Sequence, residues 1–144
     1  MTVPDRKSPY DSAPRTNPVW NEIAAEALRH RRDEALRGLL LGPDEMAKRM
    51  GITRRALERA VSEHRMLELE LDGEAVYPAY FADPGVKRIA FTLTLRALGN
   101  LSPWGRYYFY LGRKLSLGDR TPLEVLREGS CRKVIAAARG AAER

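Results

Sequence analysis

Apolar positions recur at helical spacing in several separate runs, and one short stretch alternates instead. Trp20, Ile23, Ala24, Ala27 and Leu28 fall three and four apart, directly after Asn17-Pro18. An N-cap residue followed by proline in the first turn is a helix start, so the spacing predicts a helix over 18–37 that ends near Gly38. Leu67, Leu69 and Leu71 then alternate with Glu68 and Glu70, and Asp72-Gly73 follows. Period two before an Asp-Gly pair predicts a β-hairpin whose second strand runs from Glu74 to Tyr77 and stops at Pro78. Beyond it the pattern is helical again. Val86, Ile89, Ala90, Leu93 and Ala97 make one apolar stripe, and Trp104, Tyr107, Tyr108 and Leu111 make another. Val125, Leu126, Val134, Ile135 and Ala138 belong to two last helices. Asp83-Pro84, Ser102-Pro103 and Thr121-Pro122 each read as a cap-plus-proline start. Thr121 with Glu124 also has the spacing of a capping box.

These elements define a mainly α chain: a helix-turn-helix with a short β-hairpin, followed by a small helical module. Residues 1–17, with Pro4, Pro9 and Pro14 among Ser, Thr and Asp, cannot build a core and read as a disordered arm. A leading helix occupies 18–41, the helix-turn-helix and hairpin 42–82, and the last helical domain 83–144.

The segment from Pro43 to His64, PDEMAKRMGITRRALERAVSEH, carries the sharpest local signal. Two helices crossing steeply need a small residue at the crossing, a glycine in the turn and apolar residues between them. Ala47 suits the crossing, Gly51 the turn, and Met46, Met50, Ile52, Leu57 and Val61 the apolar set. Thr53 suits the cap of the second helix. Arg54, Arg55, Glu58 and Arg59 are then left exposed at the start of that helix. An exposed recognition helix presents such residues to base edges in the major groove, where arginine reads guanine with two hydrogen bonds. Lys48 and Arg49 on the first helix suit phosphates. The candidate DNA-binding set is therefore Lys48, Arg49, Thr53, Arg54, Arg55 and Arg59. The same helix pair also occurs in proteins that never touch DNA, with its arginines simply solvated.

Charge sharpens this division. The net charge of +6 is uneven: +4 over residues 29–65, −5 over 66–85 and +8 over 86–144. The basic excess calls for an anionic partner, nucleic acid or an acidic protein. The hairpin, with Glu68, Glu70, Asp72 and Glu74, would be repelled by phosphates, so it is expected to pack through its leucines rather than grip a minor groove.

One cysteine, Cys131, excludes a disulfide scaffold. No run approaches a membrane span, and the first residues lack the apolar core of a secretory signal, so the reading is cytoplasmic. No catalytic set emerges and no cofactor is implied. His30 and His64 read as lying on polar helix faces without metal-spaced partners. Cys131 stands at a helix start, where its pKa is expected to fall, but it has no assigned base. The aromatic run from Trp104 to Tyr110 reads mainly as core or dimer interface, with a protein-contact surface and base stacking as the alternatives.

Leu117 to Gly140, LGDRTPLEVLREGSCRKVIAAARG, resembles the C-terminal toxin-binding domain of the Xre/MbcA/ParS antitoxin family. Gly118, Arg120, Thr121, Pro122, Leu123, Leu126, Gly129, Val134 and Gly140 carry the likeness. The upstream LGPDEMAKRMGITRRAL, the leucine-rich hairpin and YPAYF resemble the DNA-binding part of one branch, so the likeness covers roughly 40–140. It implies an antitoxin, and a homodimer is expected because symmetric helix-turn-helix readers bind paired half-sites about one turn apart. Such a protein binds and blocks a cognate toxin, of the NAD-consuming RES type, and represses its own operon on double-stranded operator DNA. Arg120, Arg132, Lys133, Arg139 and Arg144 are the toxin-binding candidates. Arg139 and Arg144 also have a local explanation as cations near a helix C-terminus. A stand-alone regulator and an adaptor that never binds DNA are the alternatives.

Overall fold

The computed structural model describes residues 18–143. The predicted arm 1–17 and the candidate Arg144 lie outside the described residues. The chain divides into two units, one ending at Gly38 and one beginning at Leu39.

The first unit holds α1 (Pro18–Leu36). The helix stops where expected: the Gly38 amide donates to the Ala35 carbonyl at 3.1 Å and Gly38 takes φ +79°, which glycine adopts without strain. Its predicted stripe stays in part at the surface, with Ile23 50% exposed.

The second unit contains β1 (Leu40–Leu41), α2 (Pro43–Met50), α3 (Arg54–Ser62), β2 (Leu69–Leu71), β3 (Glu74–Pro78), α4 (Arg88–Ala97), α5 (Pro103–Phe109), α6 (Pro122–Arg127) and α7 (Cys131–Ala142). Short 3-10 turns occupy Ala79–Ala82 and Leu115–Leu117. The chain is thus mainly helical with a small antiparallel sheet, ordered β1-β3-β2. β2 and β3 are the predicted hairpin, with Leu69 opposite Val76 and Leu71 opposite Glu74. Asp72 and Gly73 take φ +54° and +81°, the paired left-handed geometry of a type I′ turn. Leu69 and Leu71 turn inward and are buried, while Glu70 is exposed. β1 was not foreseen, because two residues are too few to show alternation; Leu40 and Leu41 pair with Pro78 and Tyr77.

Behind the sheet, Phe81 and Phe91 stack at 4.3 Å between ring centroids, and Tyr110 meets Phe81 edge-on at 5.6 Å. The Tyr80 hydroxyl donates to the Tyr107 carbonyl at 2.8 Å, joining the end of the hairpin to α5. This aromatic cluster gives the turn after β3, α4 and α5 one core.

Three local readings need correction. Asp83-Pro84 does not start a helix. The Asp83 carboxylate accepts the Gly85 amide at 2.8 Å, forming a turn, and the helix begins at Arg88 after Lys87. The stripe of α4 is rotated as a result: Ala90, Phe91, Thr94 and Leu95 are buried, whereas Ile89 and Leu93 are 58% and 40% exposed. Burying Phe91 in the aromatic cluster outweighs burying the two aliphatic side chains. α5 ends at Phe109, so Leu111 leaves the helical register and stays exposed, while Phe109 and Tyr110 go inside.

Candidate functional site

The helix-turn-helix forms as its residues dictate. Pro43 occupies the first turn of α2, with Asp44 and Glu45 beside the positive end of the helix. Gly51 closes α2 at φ +71°, its amide reaching the Ala47 and Lys48 carbonyls. Thr53 caps α3, its Oγ1 accepting the Ala56 amide at 3.0 Å. Met46, Ala47, Leu57 and Ala60 are buried between the helices, and Met50, Ile52 and Val61 are half-buried at the margin.

The candidate cations separate into two groups. Arg54 donates to Asp44 at 2.8 Å and lies 4.0 Å from Glu58, one turn further along α3. The hydrogen bond to Asp44 is the main reason its guanidinium pKa is raised. Tyr77, whose hydroxyl donates to Glu68 at 2.6 Å, stands close enough for Arg54 and Glu58 to affect its titration. Burial and then Glu68 raise the Tyr77 pKa. Arg54 therefore faces acids, and Arg49 lies 3.7 Å from Glu45. Lys48, Arg55 and Arg59 are exposed and have no carboxylate within ion-pair reach among the described residues. Arg55 and Arg59 are four apart, so they share one face of α3, beside the Arg54–Glu58 face.

The C-terminal module shows the capping box in full. The Glu124 amide donates to Thr121 Oγ1 at 3.1 Å, and Glu124 Oε1 accepts the Thr121 amide at 2.8 Å. That backbone donor holds the Glu124 carboxyl below its ordinary pKa. Arg120 is engaged within the fold. Its Nε donates to the Leu117 carbonyl at 3.0 Å and its fork meets Glu128, tying the Gly118 turn to the end of α6. Arg132, Lys133 and Arg139 are exposed on α7. Lys133 lines a groove of about 660 Å³ with Arg113, Lys114, Leu115, Ala137 and Gly140. Arg132 and Arg139 are seven apart and occupy another face of α7. The groove's Arg113 and Lys114 were not anticipated, since only the 3-10 turn at Leu115–Leu117 brings them beside α7. Leu115, 90% exposed, stands at its edge.

The expected fall in the Cys131 pKa is reversed. Burial pushes the thiol up, because loss of water disfavours the thiolate. His64 is not on a helix face; it follows α3 at φ +60°. Among the described residues, no group of three His, Cys, Asp or Glu is placed to hold a metal, and no helix is long and apolar enough to cross a membrane. No family model, curated protein or solved structure matches the chain.

Proposed function

We propose that the chain is a DNA-binding antitoxin. It contacts double-stranded DNA through α2 and α3, and it binds a cognate toxin, of the NAD-consuming RES type, through its C-terminal helices. It acts in the cytoplasm as a homodimer, two recognition helices reading half-sites about one turn apart, and it represses its own operon. The observation that carries the DNA reading is the capped helix-turn-helix, whose Lys48, Arg55 and Arg59 are exposed without acidic partners. The toxin reading rests on the Thr121-Pro122-Leu123 start and glycine-bounded helices that resemble the antitoxin module. The cationic groove beside α7 suits an acidic protein surface.

A toxin-like enzyme encoded by the neighbouring reading frame is the expected partner, and co-expression with it is expected to restore growth and to yield a stable complex on purification. Undiminished toxicity overturns the antitoxin reading. Arg55→Ala is expected to lose preference for the promoter fragment, and Lys48→Ala to weaken all duplexes evenly with a lower salt slope. Arg54, engaged by Asp44, favours an adaptor as the second reading. Unchanged gel retention in both variants would decide for it.

A further inference from the structure

A hollow of about 290 Å³ opens beside the recognition helix, walled by Met50, Ile52 and Ala56 and lined by Arg59, Arg65 and Arg88. We propose that these three arginines form an oxyanion subsite that takes a phosphate group. They converge from three places: α3, the segment leading into the hairpin, and the first residue of α4. Arg65 holds one acidic partner, Glu63, through both Nε at 2.9 Å and Nη2 at 2.6 Å, so a phosphate there exchanges with that carboxylate. Arg88 and Arg59 have none among the described residues. The Arg88 guanidinium donates to the Phe81 carbonyl in a part-buried setting and lies 5.4 Å from the centroid of the Phe91 ring. Its pKa is lowered, first by burial and then by the charge of Arg65.

Three guanidinium groups against one carboxylate leave about two positive charges at the hollow. A fold that holds like charges together on a partly desolvated floor is relieved by an anion. A phosphate monoester carries about −1.5 to −2 charge with three acceptor oxygens, a backbone diester carries a single charge with two, and arginine forks match either. At about 30 Å³ per water, the space holds roughly ten waters, enough for a phosphate and the start of what it esterifies. The subsite does not rest on the DNA reading, since the phosphate belongs either to a duplex backbone or to a free phosphate compound.

The test titrates the full chain with inorganic phosphate at fixed ionic strength, following arginine Nε–Hε cross-peaks by ¹⁵N NMR with chloride as control. Saturable shifts at Arg65 and Arg88 are expected, weakened about tenfold by Arg59→Gln and by Arg88→Lys, which keeps charge but loses the fork. Arg59 is exposed, so its variant reports even if the Arg88 variant folds poorly. Non-saturating shifts, or saturation unchanged in Arg59→Gln, overturn the subsite. Displacement of phosphate by duplex DNA, with a salt slope about one unit lower in Arg59→Gln, identifies a backbone phosphate. Saturation by phosphate in a chain that retains no duplex identifies a free phosphate compound, and the DNA reading then fails alone.

Discussion

The buried pair Thr94 and Tyr110 gives a stability test whose sign follows from hydrogen positions. Both side chains are fully buried, and their oxygens lie 2.7 Å apart. Thr94 Oγ1 also sits 2.8 Å from the Ala90 carbonyl, which can only accept. The single Thr94 hydroxyl proton therefore goes to Ala90, and the Tyr110 hydroxyl donates to Thr94. Tyr110→Phe removes the donor and leaves Thr94 bonded within α4, a loss of about 0.5–1.5 kcal/mol. Thr94→Val strands a buried phenol without an acceptor, at about 1–3 kcal/mol. Making both changes removes both polar groups, so the double variant is expected to lose less than the sum. Urea unfolding at pH 7 with a constant m-value reads all three. Equal losses in the single variants, or strict additivity, refute the assigned donor. The pH dependence gives a second check. Burial raises the Tyr110 pKa above its ordinary 10.0. The stability from this shift is complete below pH 10 and is lost as pH rises towards the folded value, so Tyr110→Phe should decline less steeply there.

On the acid side, Asp83 is held below its ordinary 3.8, first by Arg127 at 2.6 Å and then by the Gly85 amide. Its contribution is present above that value and lost as pH falls through the folded one, so Arg127→Gln should flatten acid unfolding below about pH 4. Gly51→Ala meets open space but must hold φ +71°, so it should cost about 1–2 kcal/mol in urea melts, with Gly51→Asn milder; no loss in either would disprove the strain argument. Glu70→Lys with Glu74→Lys should leave duplex affinity nearly unchanged at 150 mM salt if the hairpin stands off the DNA. A large gain would place it against the backbone.

Much of the fold was readable because its signals are local. Gly51, Thr53, Asp72-Gly73 and the Thr121–Glu124 box each work within four residues, and each formed as the sequence specifies. The readings that failed depend on distant partners. Asp83 looks like a helix cap until Gly85 and Arg127, 44 positions away, are seen to use its carboxylate. The stripe through Ile89 and Leu93 is as regular as the one through Phe91, and only the ring cluster with Phe81 and Tyr110 decides which faces inward. The site behaved likewise. The arginines of α3 were evident from spacing and Arg65 follows six residues after Arg59, but Arg88 joins them only after the chain has passed through the hairpin.

The paired and unpaired charges give the proposed DNA contact a direction. Residues 29–65 carry a net +4, which alone would suggest an even basic surface. Asp44 and Glu58 bear on Arg54, and Tyr77 with Glu68 stands beside them, so the positive charge on that side is largely answered within the protein. An approaching backbone gains least there, since an arginine already bonded to carboxylate must exchange one anion for another. Arg55 and Arg59 occupy the next face of the same helix without such partners, and Arg59 continues into the hollow with Arg65 and Arg88. A duplex attracted by this field would thus meet α3 on the Arg55–Arg59 face. In that proposed contact the acids around Arg54 and along the hairpin would work as an orienting boundary, setting which way the helix pair turns towards phosphate rather than adding to the grip.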